Sequence, residues 1–346
     1  MAGKEEAELN TGEREQVVGR MAPSPTGRMH LGNAYAALAA WLGARSAGGQ
    51  VRLRIEDIDT PRVVADADRW IQDDLAWLGL DWDGPVVYQS ERQDLYRQAF
   101  AGLREQYLPA ASGGDSGAQQ ALIYPCFCSR ADIRAASAPN EGDGFLVYPG
   151  TCRHLPQAQA FDQVEAGARH AWRIAVPSGG QPGSVCAFID QIFGPQSYDL
   201  PRQVGDVVVL RSDGIMAYQL AVAVDDFDMG ITQVVRGRDL LRSTAIQLWI
   251  REHLGASEPV EWAHLPLVDA ADGRRLSKRY GSLDLGNLRQ AGVAPEQILG
   301  LCAWFLGLQN GPEQVDLETL LEAFSWESLA KNREDKVLTA DGWWSL

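Results

Sequence analysis

Three groups of residues in this sequence have types and spacings that could do chemistry. The first is the run Pro23-Ser24-Pro25-Thr26-Gly27-Arg28-Met29-His30-Leu31-Gly32-Asn33. A loop that joins a strand to a helix exposes backbone N–H groups and the positive end of the helix dipole, which suits phosphate. His30 and Asn33 stand three apart, so one helix face can offer both to a phosphate. Gly32 has no side chain, which lets a base or ribose lie against the backbone. The second group is Arg275-Leu276-Ser277-Lys278-Arg279, in a polar and basic stretch. A lysine on such a loop can meet the charge that develops on a leaving pyrophosphate. Taken singly, each run also fits an ordinary turn or a solvated loop.

The third group is made of cysteines. Cys126, Cys128 and Cys152 cluster, while Cys186 and Cys302 stand apart and read as ordinary buried residues. An odd number with three clustered does not suit a disulfide framework; it suits a metal, and one structural zinc per chain is expected. On general chemistry His154 is the better fourth ligand. A tyrosine at Tyr148, with a reference pKa of about 10, must ionise or bind weakly.

The elements that must position these groups can be read on either side of them. Val17 to Ala22 can form a short strand, and the Ala- and Leu-rich Leu31 to Ala47 reads as a helix. Val51 to Ile55 alternates like a second strand. Thr60 and Pro61 then supply an N-cap and a first helical position, opening a helix towards Gly79. Strand and helix alternate from the first patterned residue, which points to a parallel α/β sheet. Val204 to Leu210 and Gln219 to Val224 read as strands, so the sheet is expected to resume there after an insertion. The end of the chain, from Pro295, reads as helical.

The whole chain has 346 residues, 45% hydrophobic and 22% charged, with a net charge of −15. That is ordinary globular composition, and the acidic balance argues against attachment to nucleic acid by bulk charge. RNA contact would need a local basic patch, for which Arg130, Arg134 and Arg153 are candidates. No stretch approaches the ~18 apolar residues of a membrane span. No export signal precedes the first strand, so the cytoplasm is the expected compartment.

The two phosphate-type runs, in this order, resemble the paired ATP motifs of class I aminoacyl-tRNA synthetases, His-x-Gly-His and Lys-Met-Ser-Lys-Ser. The fourth position of the first motif and the first position of the second depart from that pattern but keep polar or basic character. The resemblance covers roughly Gly19 to Gly307 and is closest to the glutamyl branch. Arg20 to Gly27, Arg54-Ile55-Glu56-Asp57-Ile58-Asp59, Trp77 to Asp83, Gln89-Ser90-Glu91-Arg92 and Val234-Val235-Arg236-Gly237 carry it. Cys-x-Cys followed by Tyr-x-x-x-Cys is similar to the glutamyl-queuosine tRNA(Asp) synthetase family, which favours Tyr148 as the fourth ligand. So are Ala217 to Asp226 and Arg236 to Leu241. Ala138 to Gly144 is expected to be an insertion.

The resemblance implies a Rossmann-type α/β catalytic sheet with an inserted zinc-bearing segment and a C-terminal helical part. The expected divisions are a tail over 1–16, a first catalytic half over 17–110 and the inserted acceptor-binding segment over 111–203. A second half over 204–265 and a final region over 266–346 follow. The chain ends soon after Lys278, so helical anticodon-reading domains are expected to be absent. His30, Asn33 and Lys278 would be catalytic; with Gly32 and Ser277 they would hold ATP and its Mg²⁺. Arg20, Met21, Ala22, Pro23, Ser24, Glu56, Tyr218 and Arg236 would bind L-glutamate. Arg20 offers a planar fork for a carboxylate and Glu56 an anion for an ammonium. Asp57 and Asp59 read as structural. The implied reaction is tRNA-independent formation of glutamyl-adenylate. Glutamate then passes to the queuosine in the anticodon loop of tRNA(Asp), on a monomer. The rival readings are a truncated discriminating glutamyl-tRNA synthetase, a cofactor-making nucleotidyltransferase and a non-catalytic zinc RNA-binding module.

Overall fold

The structure, a computed structural model, describes residues 16–108, 120–136, 145–270 and 284–338. Ser277 and Lys278, the expected insertion at 138–144 and most of the expected tail lie outside the described residues. The first half runs β1 (Val18–Met21), α1 (Leu31–Ser46), β2 (Gln50–Ile55), α2 (Ala67–Trp77), β3 (Val87–Tyr88) and α3 (Gln93–Arg104). The three strands are parallel, with Arg20 opposite Arg52 and Arg54 opposite Val87. Val51, Leu53 and Ile55 have no exposed surface. Leu38, Ala39, Leu42 and Ala44 bury several sides of α1, as expected of a helix that is apolar nearly all round.

An insertion follows. It contains β4 (Tyr107–Leu108), β5 (Gln120–Ala121), β6 (Ile123–Cys126), α4 (Arg130–Ala136), α5 (Gln157–Glu165) and β7 (Ala171–Ile174). Then come β8 (Val185–Asp190), β9 (Gly194–Asp199) and β10 (Val207–Leu210). Strands β6, β7 and β10 form an antiparallel sheet.

The second half is α6 (Tyr218–Asp228), β11 (Gln233–Gly237), α7 (Leu241–His253) and β12 (Glu261–Leu265). Strands β11 and β12 are parallel, with Arg236 opposite His264, and β8 joins the far edge of β12. The halves meet where the Thr232 N–H donates to the Val18 carbonyl at 3.0 Å and the Val18 N–H donates to the Thr232 hydroxyl at 2.9 Å. The order across the molecule is therefore β3-β2-β1-β11-β12-β8-β9. Strand order turns outward in both directions from β1 and β11. Such a switch point opens a crevice at the carboxyl ends of the strands.

The last elements are β13 (Val268–Ala270), α8 (Leu285–Gln290), α9 (Pro295–Leu306), α10 (Leu317–Ala323), α11 (Trp326–Ala330) and β14 (Lys336–Leu338). Helix α9 packs on α1, and β14 pairs in parallel with β13. Among the described residues no helix is long and apolar enough to cross a membrane.

Three local expectations change. Thr60 and Pro61 open only a 3₁₀ turn, Thr60–Arg62, after which Val63 is extended. The Val64 N–H donates to the Pro25 carbonyl at 2.9 Å, and Asp66 takes a left-handed φ of 61° before α2 starts at Ala67. Gln219 to Val224, expected as a strand, is the first half of α6. Leu220 to Val224 are all buried, and a short apolar run buried on every side carries no period to tell helix from strand. Val207–Leu210 is a strand, but it pairs antiparallel with β7, so the parallel sheet resumes at β11.

Candidate active site

The crevice at the switch point is a cavity of about 600 Å³. Its lining includes Arg20, Met21, Ala22, Pro23 and Ser24 from the end of β1. His30 and Asn33 from the start of α1, Glu56 after β2, Tyr218 at the start of α6 and Arg236 on β11 complete the expected set. A second cavity of about 300 Å³ adjoins it, sharing His30, Asn33 and Gly237 and reaching Gly32, Leu265 and Val268. Every described residue assigned from sequence to ATP or glutamate thus lines one or both. A larger groove of about 920 Å³, at Val17, Thr232 and Glu261, contains none of them.

His30 and Asn33 do not lie along one helix face. His30 is the N-cap of α1, and its Nδ1 accepts from the Gly32 N–H at 3.1 Å. Asn33 reaches back, its Oδ1 accepting from the His30 N–H at 3.1 Å. This reciprocal cap satisfies helix-end donors and orients both side chains. An accepting Nδ1 leaves the ring proton on Nε2, from which it can be donated to a phosphate oxygen. Gly32 has a more local reason than an approaching base: a Cβ there would stand 3.0 Å from His30 Cε1. The Leu285 N–H donates to the Met29 carbonyl at 2.9 Å, and Asp284 bridges His30. The chain that re-enters after Lys278 is therefore docked on the His30 loop.

The two arginines of the cavity differ in what they have left to give. Arg236 is 6% exposed. Its Nε donates to His264 Nε2 at 3.1 Å, Nη1 to Gln247 Oε1 at 2.8 Å, and Nη2 to Thr244 Oγ1 at 2.8 Å and the Leu240 carbonyl at 3.4 Å. A guanidinium has five N–H donors, so one remains. Arg20 donates Nη1 to the Val235 carbonyl at 3.1 Å and pairs through Nε with Asp226 at 3.5 Å. Its Nη2 has no partner among the described residues, so it keeps donors for a carboxylate or phosphate. Burial, with Arg20 adding its charge, pulls Arg236 below its ordinary value. Arginine nonetheless stays charged, so an anion in the cavity would be favoured.

A buried network that the sequence did not reveal lies behind these side chains. Arg54 has no exposed surface. It binds Asp226 at 2.6 Å, Glu56 at 3.0 Å and Asp225 at 3.6 Å. Asp225 in turn accepts from Gln89 at 2.8 Å, Arg92 at 2.7 Å and Tyr96 at 2.9 Å. Burial alone would raise the Asp226 carboxyl; Arg54 and Arg20 outweigh it and hold the group below its ordinary value. For Glu56 burial prevails over Arg54 and Arg20 and raises the carboxyl, so a cation beside it would be welcome. The available signal was a pair of aspartates directly after the apolar run Leu220 to Val224. Asp57 and Asp59 have structural partners, Ser90 and Arg211.

The cysteine cluster is a separate centre in the insertion. The Sγ atoms of Cys126, Cys128 and Cys152 lie within 4.8 Å of one another, with Cys128 and Cys152 at 3.5 Å. The Tyr148 hydroxyl stands 3.4 Å from Cys126 Sγ and 3.6 Å from Cys128 Sγ. Tetrahedral zinc, with Zn–S near 2.3 Å, needs sulfur separations of about 3.8 Å, so these donors fit one ion. His154 does not belong to the cluster and is exposed. Gly205, at φ 70°, lets the Tyr148 segment pass; a Cβ there would meet the Tyr148 backbone at 3.2 Å. Arg153 turns inward to Asp206 at 3.3 Å and so does not add to a basic surface, whereas Arg130 is exposed. Cys302 is buried, but Cys186 is only half-buried.

Comparison with known proteins agrees with this geometry. Residues 16–339 match the family tRNA synthetases class I (E and Q), catalytic domain. A glutamyl-Q tRNA(Asp) synthetase of Symbiobacterium thermophilum is 44% identical, over 88% of this chain and 91% of that protein. One from Nocardia farcinica is 42% identical over 94% of each. The crystal structure of a glutamate-tRNA synthetase from Elizabethkingia anophelis superposes with a TM-score of 0.75 at 28% identity. It is matched over 94% of this chain and 69% of its own. The chain belongs to the class I tRNA synthetases (E and Q), in the branch of the glutamyl-Q tRNA(Asp) synthetases, and is an ATP-dependent ligase.

Metal analysis of protein purified without chelator is expected to find about one zinc per chain. Cys128→Ser is expected to lose it and to lower the melting temperature. Wild-type protein free of metal would remove the site.

Proposed function

We propose that the chain activates L-glutamate with ATP, without needing tRNA, and transfers it to queuosine at the wobble position of tRNA(Asp). The observation that carries this reading is the pair of opposite poles in one cavity, the open fork of Arg20 and the partly buried carboxylate of Glu56. Glutamate is a zwitterion with a second carboxylate; Arg20 suits that side-chain carboxylate and Glu56 the ammonium. Met21, Ala22, Pro23 and Ser24 line the same wall, and Tyr218 and Arg236 close it. The adjoining cavity beside Gly32 is where the nucleoside of ATP would lie, with the triphosphate at the α1 N-terminus. His30 Nε2–H and the Asn33 amide would hold its phosphates, with Ser277 and Lys278 approaching from the basic loop.

In the first step a glutamate α-carboxylate oxygen attacks the α-phosphorus of ATP. The bond to the β-phosphate bridging oxygen breaks, and pyrophosphate leaves. Mg²⁺ travels with the nucleotide, and Lys278 would meet the charge that separates. In the second step a hydroxyl of the acceptor attacks the acyl carbon. The mixed anhydride breaks, AMP leaves and the hydroxyl proton is released. No enzyme nucleophile is needed, because positioning and charge lower both barriers.

The acceptor follows from the relatives' shared name and from chemistry. Queuosine carries a cyclopentene cis-diol, which offers neighbouring hydroxyls as a terminal ribose does. A single-stranded anticodon loop lets the base be splayed into a pocket. Cys126, Cys128, Cys152 and Tyr148 would hold a structural zinc that stiffens the inserted segment beside the catalytic sheet.

Two measurements check this reading. Arg20→Lys keeps the charge but loses the fork, so the KM for glutamate in ATP–pyrophosphate exchange is expected to rise about 10–100-fold, with weaker rejection of glutamine. Normal activation with glutamine still excluded would assign side-chain reading elsewhere. Labelled glutamate is expected to enter tRNA(Asp) from cells that make queuosine and not tRNA(Asp) from cells that cannot. Labelling of tRNA(Glu) instead would favour a truncated glutamyl-tRNA synthetase.

A further inference from the structure

We infer that His264, oriented by Asp190, is a positioning residue for Arg236: it fixes the plane of that guanidinium and thereby sets the affinity for glutamate. The inference rests on the proposed contact between Arg236 and glutamate. His264 lies on β12 directly opposite Arg236 on β11 and has no exposed surface. Its Nδ1 is 2.6 Å from Asp190 Oδ2. An ionised carboxylate only accepts, so Nδ1 carries the proton and Nε2 is left as an acceptor. The Arg236 Nε–H points to that acceptor at 3.1 Å.

Thr244 closes the arrangement. Its Oγ1 accepts from Arg236 Nη2 at 2.8 Å and lies 3.1 Å from His264 Nε2, to which its own proton can be donated. Asp190 is itself held by the backbone N–H groups of Ile192 at 3.0 Å, Phe193 at 2.9 Å and His264 at 3.0 Å. The two donors directed at Nε2, from Arg236 and Thr244, share its one lone pair and require a neutral imidazole with its proton on Nδ1. Burial, with the charge of Arg236, pushes the His264 imidazole down to about 4, although Asp190 accepts its hydrogen bond.

The need for such a device is electrostatic. Arg20 and Arg236 bring two guanidinium groups to one cavity, where like charges repel. A third cation at His264 would add to that repulsion, whereas an uncharged acceptor anchors Arg236 without it. Four of the five Arg236 donors are bound to protein, which leaves one N–H with a fixed direction. Loss of the Nε anchor would leave a buried donor unpaired and free the plane to turn. Asp190 ends β8, so a residue of the inserted segment supports Arg236 through His264.

The test uses the full chain in ATP–pyrophosphate exchange, with glutamate and ATP each varied. A Gln amide can replace the Nε2 acceptor, whereas an Asn amide reaches only the Nδ1 position. His264→Asn and His264→Phe are expected to raise the KM for glutamate about tenfold. Under the same inference the kcat and the KM for ATP stay within about threefold, and His264→Gln stays near wild type. Equal effects of Asn and Gln, or a joint rise in both KM values with a lowered melting temperature, would mean a merely structural role and overturn the inference. Unchanged glutamate KM in folded His264→Asn would overturn it too. Arg236→Lys separates the levels. If that variant raises the glutamate KM and the His264 variants do not, the inference alone fails. If Arg236→Lys has no effect, the proposed contact of Arg236 with glutamate fails, and the inference with it.

Discussion

Arg54 holds a full positive charge with no exposed surface, and the catalytic half of the molecule is organised around that fact. An unpaired buried guanidinium would cost several kcal/mol, and removing one partner of a buried pair typically costs about 3–5 kcal/mol. Asp226 and Glu56 therefore have to approach it, at 2.6 and 3.0 Å, with Asp225 at 3.6 Å behind them. Asp225 and Asp226 come from α6, and Glu56 from the end of β2. The network thus clamps the first half of the sheet to the second across the insertion. Its outer members, Glu56 and Arg20, are the poles of the cavity. The charges that secure the fold are continuous with those that would select the ligand.

The same device recurs twice. In the insertion, Asp206 is buried and accepts from the Tyr124 hydroxyl at 2.6 Å, Arg153 at 3.3 Å and the Val176 N–H at 2.8 Å. Its carbonyl accepts from Arg173 at 2.7 Å, and that guanidinium lies 3.8 Å above the Tyr148 ring. At the end of β8 Asp190 does comparable work for His264. Each of these aspartates fixes a cation or imidazole next to a group with chemistry to perform. The acidic excess of the chain is therefore not all solvated surface, and local positive sites survive within it.

How much of this could be read from sequence depended on the range of the interaction. The β1 strand, α1, β2 and α9 were legible because period and composition are local. The His30 loop was legible by type and spacing, and the cysteine cluster by its short intervals. Gln219 to Val224 misled because a helix buried on all sides has no polar face to mark its period. Thr60 and Pro61 misled because a good cap does not oblige the next residues to stay helical when Val64 is tied to Pro25. The pairing of His264 with Asp190 spans 74 positions and belongs to sheet register, for which the sequence holds no local mark. Arg153 looked like surface charge until Asp206 supplied a buried partner. General chemistry favours His154 as the fourth ligand and the family resemblance favours Tyr148; the Tyr148 hydroxyl is the one that stands against the thiols.

The most direct test of the site is a crystal structure of the chain with a non-hydrolysable glutamyl-adenylate analogue. The expected result has the glutamyl side-chain carboxylate on the open donors of Arg20, the ammonium at Glu56 and the nucleoside in the cavity beside Gly32 and Leu265. A glutamyl group bound away from Arg20 and Glu56, or a nucleoside outside that cavity, would contradict it.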